Sequence, residues 1–348
     1  MPTIKEINQT TLPKLPSGEM RYPRGWFCIG ASTEFTATAP TPMKYFAKHL
    51  VGFRTESGKL CVLDAHCPHL GAHIGYGGKI IGETIQCPFH AWKFNTEGEC
   101  TEVPYAKHIP KKACTQVWHT MERSGVAFVW HDPEGNPPHY DIPAMEEYGQ
   151  AGWTDWNLHR MELATNQREI IENVADSAHF TVVHQMPSVE HFDNSYEDHT
   201  VTQIMVGCGP GGGGVKTKAI YYGPAFQYTW MKAITDTRLI NTNTPIDENT
   251  VHLWFGVMIQ VSGFTEESMK EVQQKLENLG YGSGFDLSPE NLAYVQDAII
   301  DANQKGYYDD VAIWENKLYR PDPILCDGDG PLHKLRQWYA QFYQDRSV

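Results

Sequence analysis

Cys67-Pro-His69 and Cys87-Pro-Phe-His90 constrain this chain more than any other residues. Together they read Cys-x-His, seventeen intervening residues, then Cys-x-x-His. Two thiolates and two imidazoles suffice to hold one metal centre. Proline fixes the backbone at each half-site, so one short arc presents two ligands. A Cys2His2 zinc site uses the same donors, but zinc fingers pair Cys with Cys and His with His. Here each half-site is a mixed pair. That mixture predicts a [2Fe–2S] cluster with two Cys on one iron and two His on the other. Neutral imidazole then replaces anionic thiolate and raises the potential. Such a centre takes and gives one electron at a time, and something must receive the electron.

At 348 residues the chain can hold two domains with separate cores. Hydrophobic content of 41% and aromatic content of 12% describe a globular protein. A net charge of −14 argues against a nucleic-acid partner, which calls for a basic surface. No apolar run approaches the roughly 18–20 residues that span a bilayer, and Met1 to Asn8 carries no signal-peptide stretch. The cytoplasm is the expected compartment. Beyond Cys67 and Cys87, the six remaining cysteines show no paired spacing, which predicts free thiols rather than disulfides.

From about Gly25 to His131 short β-branched runs alternate with Gly, Pro and Asn turns, an all-β pattern. They include Leu50–Phe53, Lys59–Leu63, Val117–Trp118 and Gly125–Trp130. Asp132-Pro-Glu-Gly-Asn-Pro-Pro138 breaks the pattern and predicts a domain boundary. Residues 166–184 read as helix-compatible, with Ile170, Ile171, Val174 and Ala178 near helical spacing. Strand-like runs return over 200–262, and helices are predicted at about 265–279, 288–304 and 330–344. The second half thus reads α+β, an antiparallel sheet with helices late in sequence. Expected boundaries are an N-terminal segment 1–22 packing on the second domain, a cluster domain 23–135 and a catalytic domain 136–348. Gly207-Cys-Gly-Pro-Gly-Gly-Gly-Gly214 lacks the Gly-Lys-Ser/Thr ending of a phosphate loop and reads as a loop between strands.

A second constellation follows in Asp176, His179 and His184. On a continuous helix two His five apart sit about 140° from each other, a poorer fit than i, i+4. The helix must therefore end or loosen near Phe180–Val183, where β-branched Thr181-Val-Val183 makes that possible. Beside an electron donor the pair gains meaning. Two His and one carboxylate on one face of an iron leave open positions for O2 and substrate. Asp297, Asp301, Asp309 and Asp310 all compete for the carboxylate role, and spacing does not choose.

The pattern Cys-x-His…Cys-x-x-His, followed some 80 residues later by Asn173-x-x-Asp176-x-x-His179-x4-His184, resembles the oxygenase (alpha) subunit of Rieske non-haem iron oxygenases. Within that family the chain is similar to 3-ketosteroid 9α-hydroxylase oxygenase components, over nearly its whole length. Arg21–Trp26, Val103–Pro110, Val129–Pro138, Asp310–Lys317 and Asp327–Tyr339 carry this closer likeness. The resemblance implies an all-β Rieske domain and a catalytic domain of helix-grip (START-like) form. It implies Cys67, His69, Cys87 and His90 as cluster ligands. His179, His184 and Asp310 match the ligands of mononuclear Fe(II), and Asn173 a residue near it. Asp176 matches a carboxylate that bridges an iron-ligand His to a cluster-ligand His of the next subunit in a head-to-tail homotrimer. An NAD(P)H-dependent reductase would supply electrons, and O2 would be the co-substrate.

The expected activity is O2-dependent hydroxylation of a steroid or similar apolar polycycle. The pocket should be large and apolar, with the Trp, Tyr and Met of Tyr221–Met231 and Trp254–Met258 as candidate walls. Desaturation, demethylation or hydroxylation of a non-steroid is the alternative outcome. A bare electron-transfer Rieske protein needs only about 100 residues, one small domain, and would leave two-thirds of this chain without a purpose.

Overall fold

The computed structural model describes residues 13–15, 20–262, 265–284, 286 and 288–346. Most of the expected N-terminal segment 1–22 lies outside the described residues. Its described part makes contacts with the far end of the chain. Arg21 Nε donates to the Tyr343 carbonyl, and Arg24 Nη1 donates to Gln344 O at 2.7 Å.

Strands β1 (Gly25–Ala31), β2 (Thr41–Tyr45), β3 (Lys48–Arg54), β4 (Leu60–Asp64), β5 (Lys79–Ile81), β6 (Thr84–Gln86), β7 (Lys93–Phe94), β8 (Cys100–Glu102), β9 (Val117–Trp118), β10 (Thr120–Arg123) and β11 (Val126–His131) build the all-β half. They form three antiparallel sheets ordered β1-β11-β10, β2-β3-β4-β9 and β5-β6-β7-β8. After the Pro-rich break, β12 (Asn157–Leu163) joins a meander of β13 (Ser188–Glu197), β14 (Thr200–Cys208), β15 (Gly214–Tyr222), β16 (Phe226–Lys232), β17 (Asp236–Pro245) and β18 (Val251–Ile259). This seven-stranded antiparallel sheet runs β12-β18-β17-β16-β15-β14-β13. The chain is α+β, as expected.

Successive side chains in a strand point to opposite faces, so the parity of each residue decides its neighbours. Phe226, Tyr228, Ile240, Trp254 and Met258 lie on one face and pack with Trp26, Phe27 and Phe128 of the all-β half. One shared core therefore welds the two halves. Phe255, Val257 and Ile259 face the other way, toward two helices, Glu266–Asn278 and Pro289–Tyr308. Met269, Val272 and Leu276 meet them from the first helix, and Val295, Ala298 and Ile299 from the second. Burying each such side chain contributes about 1.5–3 kcal/mol. Both helices start as the sequence dictates. Thr265 caps the first in a reciprocal pair with Ser268, and Ser288 caps the second ahead of Pro289. The β15–β16 turn shows why one glycine is required. Gly223 has φ +79°, and a Cβ there would fall inside the Tyr140 hydroxyl.

One helical expectation needs correction. Residues 166–184 are not one helix but a turn and a half, Gln167–Ile171, a 3-10 turn, Glu172–Ala175, and a separate short helix, Ala178–Val182. Asp176 between them is extended, at φ −95° and ψ 113°. Ile170, Ile171 and Val174 are buried as the spacing predicts, but Ala178 lies beyond the break and is exposed. The late helix is Leu332–Ala340 with a closing 3-10 turn, and Leu335, Trp338, Tyr339 and Phe342 form its buried stripe.

Candidate active site

The two cysteine half-sites fold as twin loops. Cys67 N–H donates to Ala72 O at 2.9 Å and Gly71 N–H to Cys67 O at 2.9 Å. In the second loop Cys87 N–H donates to Trp92 O at 2.8 Å and Ala91 N–H to Cys87 O at 3.2 Å. The fourth residue after each cysteine is left-handed, Gly71 at φ 76° and Ala91 at φ 58°. A Cβ at Gly71 would meet nothing within 4 Å. Gly71→Ala should therefore cost only the backbone strain, about 1–2 kcal/mol, read as a lower melting temperature with the cluster absorbance retained.

These loops bring four donors together. Cys67 and Cys87 are 3% and 2% exposed. Burial pushes the Cys67 thiol up to about 11, and neighbouring Cys87 adds to the effect. The His69 and His90 rings lie 4.6 Å apart, and His69 stacks on Trp92 at 4.7 Å. His69 Nδ1 is buried without a hydrogen-bond partner, an arrangement that a metal bond would satisfy. Among the described residues, the group of His, Cys, Asp and Glu whose ligand atoms all lie within 4.8 Å is His179, His184 and Asp310. No three of the four half-site donors meet that closely, as one tetrahedral zinc would demand. A cluster of two irons, with thiols at one end and imidazoles at the other, fits them.

His179, His184 and Asp310 converge because the local helix stops. His179 sits in the first turn of Ala178–Val182, and the turn then widens, with His184 N–H reaching His179 O at 3.4 Å across five residues before Gln185 goes left-handed at φ 52°. The two rings lie 5.1 Å apart, and His184 Nε2 is 3.4 Å from Asp310 Oδ2. Of the four competing carboxylates, Asp297 and Asp309 are exposed, and Asp301 is held by Tyr281 at 2.6 Å and Lys305 at 2.9 Å. Asp310 is buried and precedes helix Val311–Asn316 without capping it, so its carboxylate is free to face the histidines. Burial, with the His179 charge adding, lowers His184 to about 4. Burial raises Asp310 to about 6, against the pull of His179 and a hydrogen bond from Asn173. Two imidazoles and a carboxylate converging within 4.8 Å of one another suit a divalent cation.

Asp176 meets His179 through its backbone more closely than through its carboxylate. Its carboxylate Oδ1 is 3.9 Å from His179 Nδ1, too far for a hydrogen bond. The Asp176 backbone carbonyl accepts the His179 Nδ1 proton instead, at 2.8 Å. The carboxylate accepts the backbone N–H groups of Ala178 at 3.0 Å and His179 at 3.2 Å. Its side chain remains 45% exposed, so it can also face outward. Asn173 accepts a hydrogen bond from Trp314 Nε1 at 3.3 Å, which turns its amide nitrogen toward Asp310.

A cavity of about 460 Å³ opens from this site between the sheet and the late helices. Its walls follow strand parity. Gln203 and Met205, then Thr217, Ala219 and Tyr221, then Gln227, Thr229 and Met231 line it. Leu239, Asn241 and Phe255 complete the sheet wall. Of the expected aromatic and Met candidates, Tyr221 and Met231 line the cavity; Tyr228, Trp254 and Met258 belong to the opposite face. The glycine run Gly209–Gly214, read as a plain connection, also forms cavity wall, and Asn278 Nδ2 ties Gly211 O at 2.8 Å.

Residues 25–113 match the Rieske [2Fe-2S] domain, and residues 129–287 with 283–343 match the 3-Ketosteroid 9alpha-hydroxylase C-terminal domain. A 3-ketosteroid-9-alpha-monooxygenase oxygenase component of Rhodococcus rhodochrous is 37% identical over 364 residues, covering 98% of this chain and 88% of that one. The oxygenase component from Mycobacterium tuberculosis is 33% identical over 361 residues, covering 98% and 86%. The chain belongs to this family of Rieske non-haem iron oxygenases. A cholesterol 7-desaturase of Caenorhabditis elegans is 28% identical over 351 residues, covering 94% of this chain and 78% of that one. The crystal structure of dicamba monooxygenase bound to dicamba superposes with TM-score 0.64 at 16% identity, covering 92% and 97%, and shares the fold.

This Rieske oxygenase is therefore an iron monooxygenase that carries a [2Fe–2S] cluster and a mononuclear iron and uses O2 as co-substrate. As an oxygenase component it works with a separate reductase. No helix among the described residues is long and apolar enough to cross a membrane.

Proposed function

We propose that this oxygenase hydroxylates a 3-ketosteroid or similar apolar polycycle, using electrons relayed from NAD(P)H. The convergence of His179, His184 and Asp310 in the wall of a largely apolar cavity carries the reading. In it, Cys67, His69, Cys87 and His90 hold the cluster, and His179, His184 and Asp310 hold the iron. When bound, these groups supply single electrons and O2 activation, so that one oxygen atom enters the substrate and the other leaves as water.

The protein's part is placement. Ligands from a short helix and from the start of Val311–Asn316 leave the cavity side open for substrate. The Asp176 carbonyl keeps the His179 proton on Nδ1, which leaves Nε2 free to bind metal. Asn173 orients Asp310. Met205, Ala219, Leu239 and Phe255 exclude water and align a flat apolar ligand. Domains are assigned as 23–135 and 136–348. Three copies associate head to tail, so that the exposed Asp176 carboxylate of one accepts from His90 of the partner subunit. Free cysteines throughout the described chain suit a reducing cytoplasm.

Substrate-dependent NADH and O2 consumption over 3-ketosteroids, sterols and aromatic acids, with a competent reductase, tests the assignment. Stimulation by a 3-ketosteroid, with labelled O2 found in a new hydroxyl, is the expected result. Activity confined to other classes would remove the steroid but leave the iron chemistry. The likeness to a cholesterol desaturase favours desaturation as the second reading; its product would be an alkene without label.

A further inference from the structure

Behind the proposed iron site lies an ion-pair network that lines no part of the cavity. Lys317 Nζ is 3.0 Å from Glu169 Oε2 and 3.1 Å from Glu172 Oε2. The Glu169 and Glu172 side chains are only 1% and 12% exposed. Arg336 closes the set, with Nη2 2.7 Å from Glu172 Oε1, and its guanidinium lies 4.6 Å from the Tyr319 ring centre. Glu169 and Glu172 belong to the arm that continues into Asn173, Asp176 and His179. Lys317 follows directly on helix Val311–Asn316, whose preceding residue is Asp310, and its N–H bonds Ile313 O at 2.9 Å.

The same two arms touch again nearer the ligands. Thr165 Oγ1 donates to Trp314 O at 2.8 Å, and Trp314 Nε1 to Asn173 Oδ1 at 3.3 Å. That second bond occupies the oxygen end of the Asn173 amide and leaves its NH2 end for Asp310. A slip between the arms at Lys317 would thus reach Asp310 as a rotation of Asn173. Well-packed apolar side chains could hold two arms together at least as firmly as a buried ion pair; what the ion pair adds is a fixed register.

We propose that Lys317 is a positioning residue for the mononuclear iron site, clamping the arm that carries Asn173, His179 and His184 to the arm that carries Asp310. This rests on the reading of His179, His184 and Asp310 as the iron ligands. Lys317 Nζ donates its hydrogen bond to Glu172 Oε2 and stands 3.0 Å from Glu169 Oε2 as an ion partner, with both Glu169 oxygens otherwise buried without a hydrogen bond. Loss of Lys317 removes the cation 3.0 Å from this buried carboxylate, and the arm must shift or open to water.

The test uses the full chain with its cluster, stripped of mononuclear iron by a chelator and titrated with Fe(II). Lys317→Met should bind Fe(II) about 10- to 100-fold more weakly, and the electron-spin signal of its nitric-oxide adduct should broaden. The [2Fe–2S] absorbance should not change. Lys317→Arg should restore both readouts. Glu169→Gln/Lys317→Met removes both charges; it should recover the melting temperature but not the iron affinity, and it carries the test if Lys317→Met does not fold. Wild-type iron affinity and signal in either Met variant, or full recovery in the double variant, would overturn the clamp. Asp310→Ala run alongside separates the failures. If it too keeps its iron, the ligand assignment itself is wrong; if it loses iron while Lys317→Met keeps it, the clamp alone fails.

Discussion

Asp310→Ala is expected to abolish turnover and to lower iron content by one atom per chain, from the three that a [2Fe–2S] cluster and a mononuclear site together require. The Asp310 side chain is 8% exposed, and no other carboxylate among the described residues shares the cluster with His179 and His184. Water could replace one ligand oxygen, but not the negative charge that offsets the metal in a dry site. Loss of a partner one shell out from a metal ligand already weakens binding by about 10- to 100-fold, so loss of the ligand should exceed that. Asp309→Ala is the matched control, because Asp309 is exposed and lies outside the converging group. Iron and sulfide analysis, the cluster absorbance and turnover check the pair. Iron retained in Asp310→Ala would reject the assignment.

The metal-free state sharpens this expectation. Burial holds Asp310 near about 6 against an ordinary 3.8, so the folded metal-free protein binds more protons than the unfolded chain between those values. Its stability therefore falls as pH rises through that window. Asp310→Ala removes this burden. At pH 7.5 the metal-free variant should melt no lower than the metal-free wild type, while the iron-loaded wild type melts above both. A residue kept for function against stability gives this pattern.

Different parts of the site were legible for different physical reasons. The Cys67 and Cys87 half-sites are local: proline, cysteine and histidine in five residues determine their own loop. The late helices announced themselves through apolar periodicity, and the caps at Thr265 and Ser288 set their starts. The choice of Asp310 could not be read that way. Asp297 and Asp301 lie on one helix, Asp309 ends it and Asp310 opens the next, so the turn between the two helices decides which carboxylate is buried. The break at Asp176 was also hidden, since Ile170, Ile171 and Val174 keep helical spacing from the first helix into the tighter 3-10 turn. The cavity walls were the most recoverable omission. Once β14 to β18 are in register, parity assigns Gln203, Thr229, Leu239 and Asn241 to the face of Tyr221, and only the register is non-local. The glycine run is the loop between strands that its sequence predicts, but absent side chains do not say what such a loop encloses.

Asp176→Asn is expected to keep both metal centres and to slow electron transfer between them. The hydrogen bonds separate the two roles of this residue. Its backbone carbonyl fixes the His179 ring, and no side-chain change alters that bond. Its Oδ1 caps Ala178 and His179, a task the amide oxygen of Asn performs equally well. What Asn cannot supply is the negative charge and the second accepting oxygen. In the proposed trimer that oxygen receives a proton-bearing nitrogen of His90 of the partner subunit; an amide NH2 would set donor against donor. Reoxidation of the pre-reduced cluster on mixing with O2 and substrate should slow about 10- to 100-fold, with iron content and cluster absorbance unchanged. Asp176→Ala differs in kind. It also loses the cap, at a cost of about 1 kcal/mol, and should shed iron as the short helix frays. Normal reoxidation in Asp176→Asn would mean that electrons reach the iron by a path that does not pass this carboxylate.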